Sequence, residues 1–135
     1  MDFVDRGRSG PIHTGAYSAN GTQYTHSVEF ENFCNNVDGG DIWAEYNLGR
    51  AFSRFEVTVG INDEDPAEAA GTFRVLVDGV EKASGAISLG TSVPVQIDVS
   101  DALRLRLEVN NPRAARSCRE PGIHEHTIWG DARLS

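Results

Sequence analysis

In the stretch CREPGIHEHTIWGDARLS, His124 and His126 flank Glu125. Two histidines two positions apart project from one face of a strand, as a metal-binding pair does. A catalytic centre needs further ligands, and the other histidines are His13 and His26, both in the turn-rich N-terminal part. No spacing ties them to the pair. The simpler reading is a polar loop entering a closing strand. Asn62-Asp63-Glu64-Asp65 gathers hard oxygen donors in one loop, which makes Asp63 and Asp65 candidate ligands of a structural calcium ion. The spacing is not that of an EF-hand. Trp43 lies beside Glu45 and Asn47 on the polar side of an alternating run. An aromatic among polar groups can stack on the apolar face of a sugar while its neighbours take the hydroxyls. The alternative is that both faces of that run are covered and Trp43 belongs to the core. Trp129 carries the same ambiguity. Arg119 is a further polar candidate near the histidine pair.

Other chemistries lack their motifs. There is no G-x-S-x-G elbow, no P-loop and no G-x-G-x-x-G, so neither acyl transfer nor nucleotide binding is supported. Cys34 and Cys118 are too few for a thiolate zinc site. Both sit in polar, turn-rich surroundings, and a disulfide between them is the preferred reading over two free thiols. It would close a long loop, worth on the order of 4 kcal/mol in the chain-entropy model, and would place the protein outside a reducing compartment.

The elements that must position these residues are strands. Phe55, Val57, Val59 and Ile61 alternate with polar or small residues. So do Phe73, Val75 and Val77; Val93, Val95, Ile97 and Val99; and Leu103, Leu105, Leu107 and Val109. Ile42–Leu48, Val28–Phe30 and Ile128–Leu134 follow the same rule. Period-two alternation marks strands with one buried face. Asp78-Gly79 is a two-residue hairpin signal, and Asn20-Gly21, Asp38-Gly39-Gly40 and Gly90-Thr91-Ser92 are further turns. No long stretch has helical periodicity. The expected fold is all-β, a single antiparallel β-sandwich of jelly-roll type. Residues 1–19 are expected as an N-terminal strap or linker remnant, and residues 20–135 as the sandwich domain.

A chain of 135 residues with 39% hydrophobic residues can bury one core. Its net charge of −8 disfavours nucleic acid and anionic membranes as partners. No segment is long and apolar enough to insert in a bilayer, and residues 1–5 do not form a secretory signal.

The ordered set Tyr46–Glu64 (YNLGRAFSRFEVTVGINDE), Phe73–Glu81 (FRVLVDGVE), Ile97–Val109 and Trp129–Leu134 (WGDARL) resembles the NPCBM modules, carbohydrate-binding domains related to carbohydrate-binding module family 51. The resemblance runs from about Asn20 to Leu134. It implies a jelly-roll sandwich with no catalytic activity and no required cofactor, some members carrying calcium. Characterised members bind galactose-containing glycans, usually beside glycoside hydrolases. The N-terminal opening and the cysteine pair look more like an actinobacterial, extracellular branch that includes membrane-anchored Ser/Thr kinases. The chain departs from the pattern where a G-V-H-A segment is usual, having Asn32–Val37 instead. It also has Ile128 where an acid commonly follows the His126 position.

The expectation is a non-enzymatic, extracellular or cell-surface binding module, a domain excised from a larger protein, whose partner is a glycan or cell-wall polysaccharide. Trp43, Glu45, Arg119, His124, Glu125 and His126 are the candidate ligand contacts. The alternative is a sensor or protein-interaction ectodomain that has lost sugar binding.

Overall fold

A computed structural model describes residues 5–8, 12–32, 41–112 and 125–135. These residues form ten strands and no helix: β1 (Asp5–Arg8), β2 (Ile12–Ala19), β3 (Thr22–Asn32), β4 (Asp41–Asn47), β5 (Arg54–Ile61), β6 (Ala70–Val77), β7 (Val80–Ser88), β8 (Ser92–Asp98), β9 (Arg104–Asn110) and β10 (Glu125–Leu134). They make two antiparallel five-stranded sheets, ordered β1-β4-β9-β6-β7 (sheet A) and β2-β3-β10-β5-β8 (sheet B).

Alternation places the core. In β9, Leu105, Leu107 and Val109 turn inward while Arg104, Arg106 and Glu108 turn out. Trp129 of sheet B is fully enclosed between the sheets. Its ring centroid lies 5.6 Å from Phe30 of its own sheet and 5.9 Å, edge-on, from Phe73 of sheet A. The two tryptophans thus separate: Trp129 is core, and Trp43 is half-buried on the outer face of sheet A, opposite the buried Ile42, Ala44 and Tyr46. Asp78 and Gly79 have φ of 49° and 82°, the left-handed pair that a type I′ hairpin requires. The Asp78 carboxylate also accepts the backbone N–H of Leu103 and Arg104 at 3.1 and 2.9 Å, which ties that turn to β9.

Residues 5–8 and 12–19 of the expected N-terminal strap are strands. They contribute β1, which pairs with β4, and β2, which pairs with β3. The boundary expected at residue 20 falls in the turn of the β2–β3 hairpin. Four residues of β2 in succession, from His13 to Ala16, are exposed. An edge strand of that kind carries no alternation to read.

That hairpin does something the alternation did not announce. Its base lies in sheet B, the β2–β3 register shifts between Gly15 and Tyr17, and its outer half folds across the outer face of the same sheet. At the tip, Ala19 bridges to Asn62, Gly21 N–H donates to Asp63 Oδ2 at 3.0 Å, Asp63 N–H donates to Ser18 O at 3.0 Å, and Asn20 Nδ2 donates to Ser92 Oγ at 3.2 Å. Two glycines accept the folded hairpin. A Cβ on Gly130 would sit 2.6 Å from the Tyr24 ring, and one on Gly60 would sit 3.0 Å from the Ala19 Cβ. Ile128 lies between them on the outer face and is fully buried there.

Candidate functional site

The described sequence candidates fall in three separate places around one end of the sandwich, where β3 gives way to β4 and β9 to β10: the outer face of each sheet and the interior between them. Cys34, Cys118, Arg119 and His124 lie outside the described residues.

His126 is on the outer face of sheet B. Its backbone N–H donates to Asp65 Oδ2 at 2.6 Å, and its ring Nδ1 is 2.7 Å from Asp65 Oδ1. The ring Nε2 is 3.3 Å from Glu31 Oε2 on the paired residue of β3. His13 Nε2 stands 3.8 Å from the other oxygen of Glu31. Behind them Glu29 Oε2 accepts from Asn62 Nδ2 at 2.8 Å, and Asn62 Oδ1 accepts the Glu64 N–H. The hydrogen bond to the Asp65 carboxylate pushes the His126 pKa up to about 9. Partial burial opposes the rise, and the charges of Asp65 and Glu29 and the hydrogen bond to Glu31 reinforce it. At neutral pH the ring is an imidazolium with both N–H groups donating to carboxylates.

This arrangement also shows what the acidic loop does. Asp63 takes the hairpin tip and Asp65 takes His126, so the two carboxylates face different protein donors rather than a common point. Among the described residues no group of three or more His, Cys, Asp or Glu side chains is placed to hold a metal ion.

Glu125 alternates with His126 and so points inward. It is fully enclosed between the sheets, level with Asn32 in the β3–β10 register. Asn32 Nδ2 donates to Asn111 Oδ1 at 3.1 Å, and Asn111 Nδ2 donates to Ala70 O at 3.0 Å. A polar cluster therefore caps this end of the core.

Trp43 and Glu45 are on the outer face of sheet A, across the sandwich from His126. The Arg106 guanidinium lies over the Trp43 ring, 4.3 Å from its centroid, a cation–π contact. Glu45 is reached by Arg104 at 3.7 Å and Arg106 at 3.8 Å, and Glu108 by Arg106 at 2.6 Å and Arg74 at 3.2 Å. Strand neighbours make this a charge ladder in which acids and arginines alternate across β4, β9 and β6.

Sequence reasoning singled out His126, Asp65, Trp43 and Glu45, but it missed Glu29, Glu31, Asn62 and Arg106 as their partners. Their outward position follows from alternation. Their pairing follows from which strands are neighbours, and no local spacing carries that information.

The family model for the NPCBM/NEW2 domain matches residues 40–135. No curated protein sequence matches the chain. Among solved structures, the CBM51 of Clostridium perfringens GH95, in complex with methyl-galactose, superposes with a TM-score of 0.71 at 19% identity, over 100% of this chain and 95% of that one. A Clostridium perfringens ZmpB structure with its M60 catalytic domain and two CBM51 domains matches with a TM-score of 0.69 at 23% identity, over 99% of this chain. Another, of the ZmpB CBM51-2 and INT domains, gives 0.71 at 16% identity over 98%. The chain spans 15% and 30% of those two ZmpB structures, so it corresponds to one module of each. At these identities the structures establish a shared sandwich fold, while the family model covers well over half of the sequence. The chain is a member of the NPCBM/NEW2 domain family.

Proposed function

We propose that this domain is a non-catalytic glycan-binding module that works outside the cytoplasm, on a carbohydrate or cell-wall polysaccharide. The observation that carries the reading is membership of a family of carbohydrate-binding domains. A galactoside-bound relative of the same fold over nearly its whole length supports it. The chemistry of the end where β3 gives way to β4 is compatible with sugar recognition. It offers Trp43 and Glu45 on one side and His126 on the other, with Glu125 enclosed between them as an orienting group. Arg119 and His124 complete the proposed contact set. Affinity is expected to be modest, since a shallow site buries little area.

A glycan array that includes galactosides and peptidoglycan fragments tests the reading, with wild type beside Trp43→Ala and His126→Gln. Specific hits that weaken in a folded variant support it. A blank array would favour a domain that has kept the sandwich and lost sugar binding, as a sensor or protein-interaction ectodomain.

A further inference from the structure

The folded-over hairpin leaves part of the outer face of sheet B uncovered. Between the hairpin and the edge strand β8 runs a groove of about 490 Å³, floored by β10 and β5. It lies towards the end opposite His126, because it begins at Gly130 and runs along Glu56 and Gln96. Tyr24 walls one side. Around it stand Asp131, Arg133, Glu56, Thr58 and Gln96.

Three observations mark this groove as more than a gap between strands. First, β10 carries a bulge between Gly130 and Arg133, and within it Asp131 has φ of 46°. An aspartate held in the left-handed region inside a strand is an outlier, and bulges serve to re-aim side chains. Here the bulge lifts an exposed carboxylate to the rim of the groove. Its only protein donor among the described residues is the His26 N–H, at a long 3.5 Å. Second, the polar groups are pre-set by one another. Arg133 Nη2 is 2.7 Å from Glu56 Oε2, and Arg54 Nη1 is 3.2 Å from Glu56 Oε1. Turning the Gln96 amide so that its oxygen faces the Arg54 guanidinium lets it accept from Arg54 Nη2 at 2.8 Å, and in that orientation its NH₂ is left as a donor. Third, the charges are largely paired. Asp131 and Glu56 face Arg133 in the lining, and Arg54, which stands outside it, also pairs with Glu56, so the groove offers acceptors and donors side by side with little net charge.

An aromatic wall, acceptors and donors side by side, and mostly paired charges suit a neutral polyol ring better than an anion or an apolar group. Carboxylate and guanidinium groups each take two adjacent hydroxyls in bidentate fashion, and a tyrosine ring covers the C–H edge or face of a pyranose. We infer that this groove is a second glycan subsite, taking one neutral hexopyranose unit, separate from the end of the sandwich where Trp43 and His126 stand. The inference rests on the reading of the domain as a glycan-binding module and adds a location to it.

The test is an NMR titration of the folded domain with methyl galactoside, methyl glucoside, N-acetylglucosamine and, as the charged control, glucuronate. The expected result is saturable shifts at the amides of Tyr24, Thr58 and Gly130–Arg133 with at least one neutral sugar, and none with glucuronate. Gln96→Ala, whose side chain is exposed and packs no core, should weaken that binding roughly fivefold. Asp131→Asn, which keeps a residue tolerant of the left-handed backbone, should do the same. Shifts confined to the other end of the sandwich would overturn the groove while leaving glycan binding intact. No shift with any neutral sugar, or a preference for glucuronate, would overturn it as well. A blank glycan array would be the separate failure of the module reading itself.

Discussion

One carboxylate, that of Asp65, receives both the backbone N–H and the ring Nδ1 of His126, at 2.6 and 2.7 Å, across 61 residues of sequence. That double contact fastens the loop after β5 to the start of β10. It makes the cationic form of His126 part of the folded structure.

Stability should therefore depend on pH in a defined direction. The folded-state pKa is raised from 6.5 to about 9, so the folded protein holds a proton that the unfolded chain releases. The contribution is fully present below about pH 6.5 and is lost as pH rises through about 9. Its size is at most on the order of 3 kcal/mol, and solvent screening at this quarter-exposed side chain reduces it. Urea unfolding at pH 6, 7.5 and 9.5 should show falling stability for wild type. His126→Gln should be weaker at pH 6 and flat over the same range.

Replacing Gly130 with alanine should destabilise the domain by about 1–3 kcal/mol, because a Cβ would sit 2.6 Å from the Tyr24 ring. The loss should shrink when Tyr24 is also truncated. A double-mutant cycle on Gly130→Ala and Tyr24→Ala measures the coupling, and strict additivity would contradict the packing described.

Trp129→Ala should cost about 3–5 kcal/mol, since the ring is fully enclosed and bridges Phe30 and Phe73 of opposite sheets. Trp43→Ala should cost much less, because that ring is only partly buried and lies under Arg106 on an outer face. Thermal melts of the two variants side by side check the contrast.

Asp63 and Asp65 serve different donors, so chelation with EDTA should leave the melting temperature unchanged. Asp63→Ala should instead loosen the hairpin tip, through the lost acceptor for Gly21 N–H. Hydrogen exchange at Gly21 and Ala19 should quicken while β10 stays protected. A rise in melting temperature on adding calcium, abolished by Asp65→Asn, would establish a cation site at the loop.

The parts of this fold legible in the sequence are those where burial is one-sided. The alternation over Phe55–Ile61 and Leu103–Val109 reports strands with one wet face, and Asp78-Gly79 reports its turn because only certain residues tolerate that backbone. The β2 strand was not legible, since an exposed edge leaves no hydrophobic pattern. Ile128 shows a subtler failure. Its position on the outer face follows from alternation, yet it is buried, because a hairpin from the far end of the chain lies across it. The His126 cluster joins positions 29, 31, 62, 65 and 126. Residue types there suggested chemistry, but only strand order could show that the acids are spoken for.

The β10 strand is the tenth in order along the chain and the middle one in its sheet, paired on both sides with strands made much earlier. During synthesis, β3 and β5 must wait, unzipped from each other, until residues up to Leu134 have left the ribosome. The early hairpin cannot dock before then, since Gly130 is one of its two seats. Sheet A has the same dependence one strand earlier: its last strand to be made, β9, is also its middle one, paired with β4 and β6, but it precedes β10 in the chain. Sheet A is thus the half that can form first, and the late insertion of one strand completes the domain.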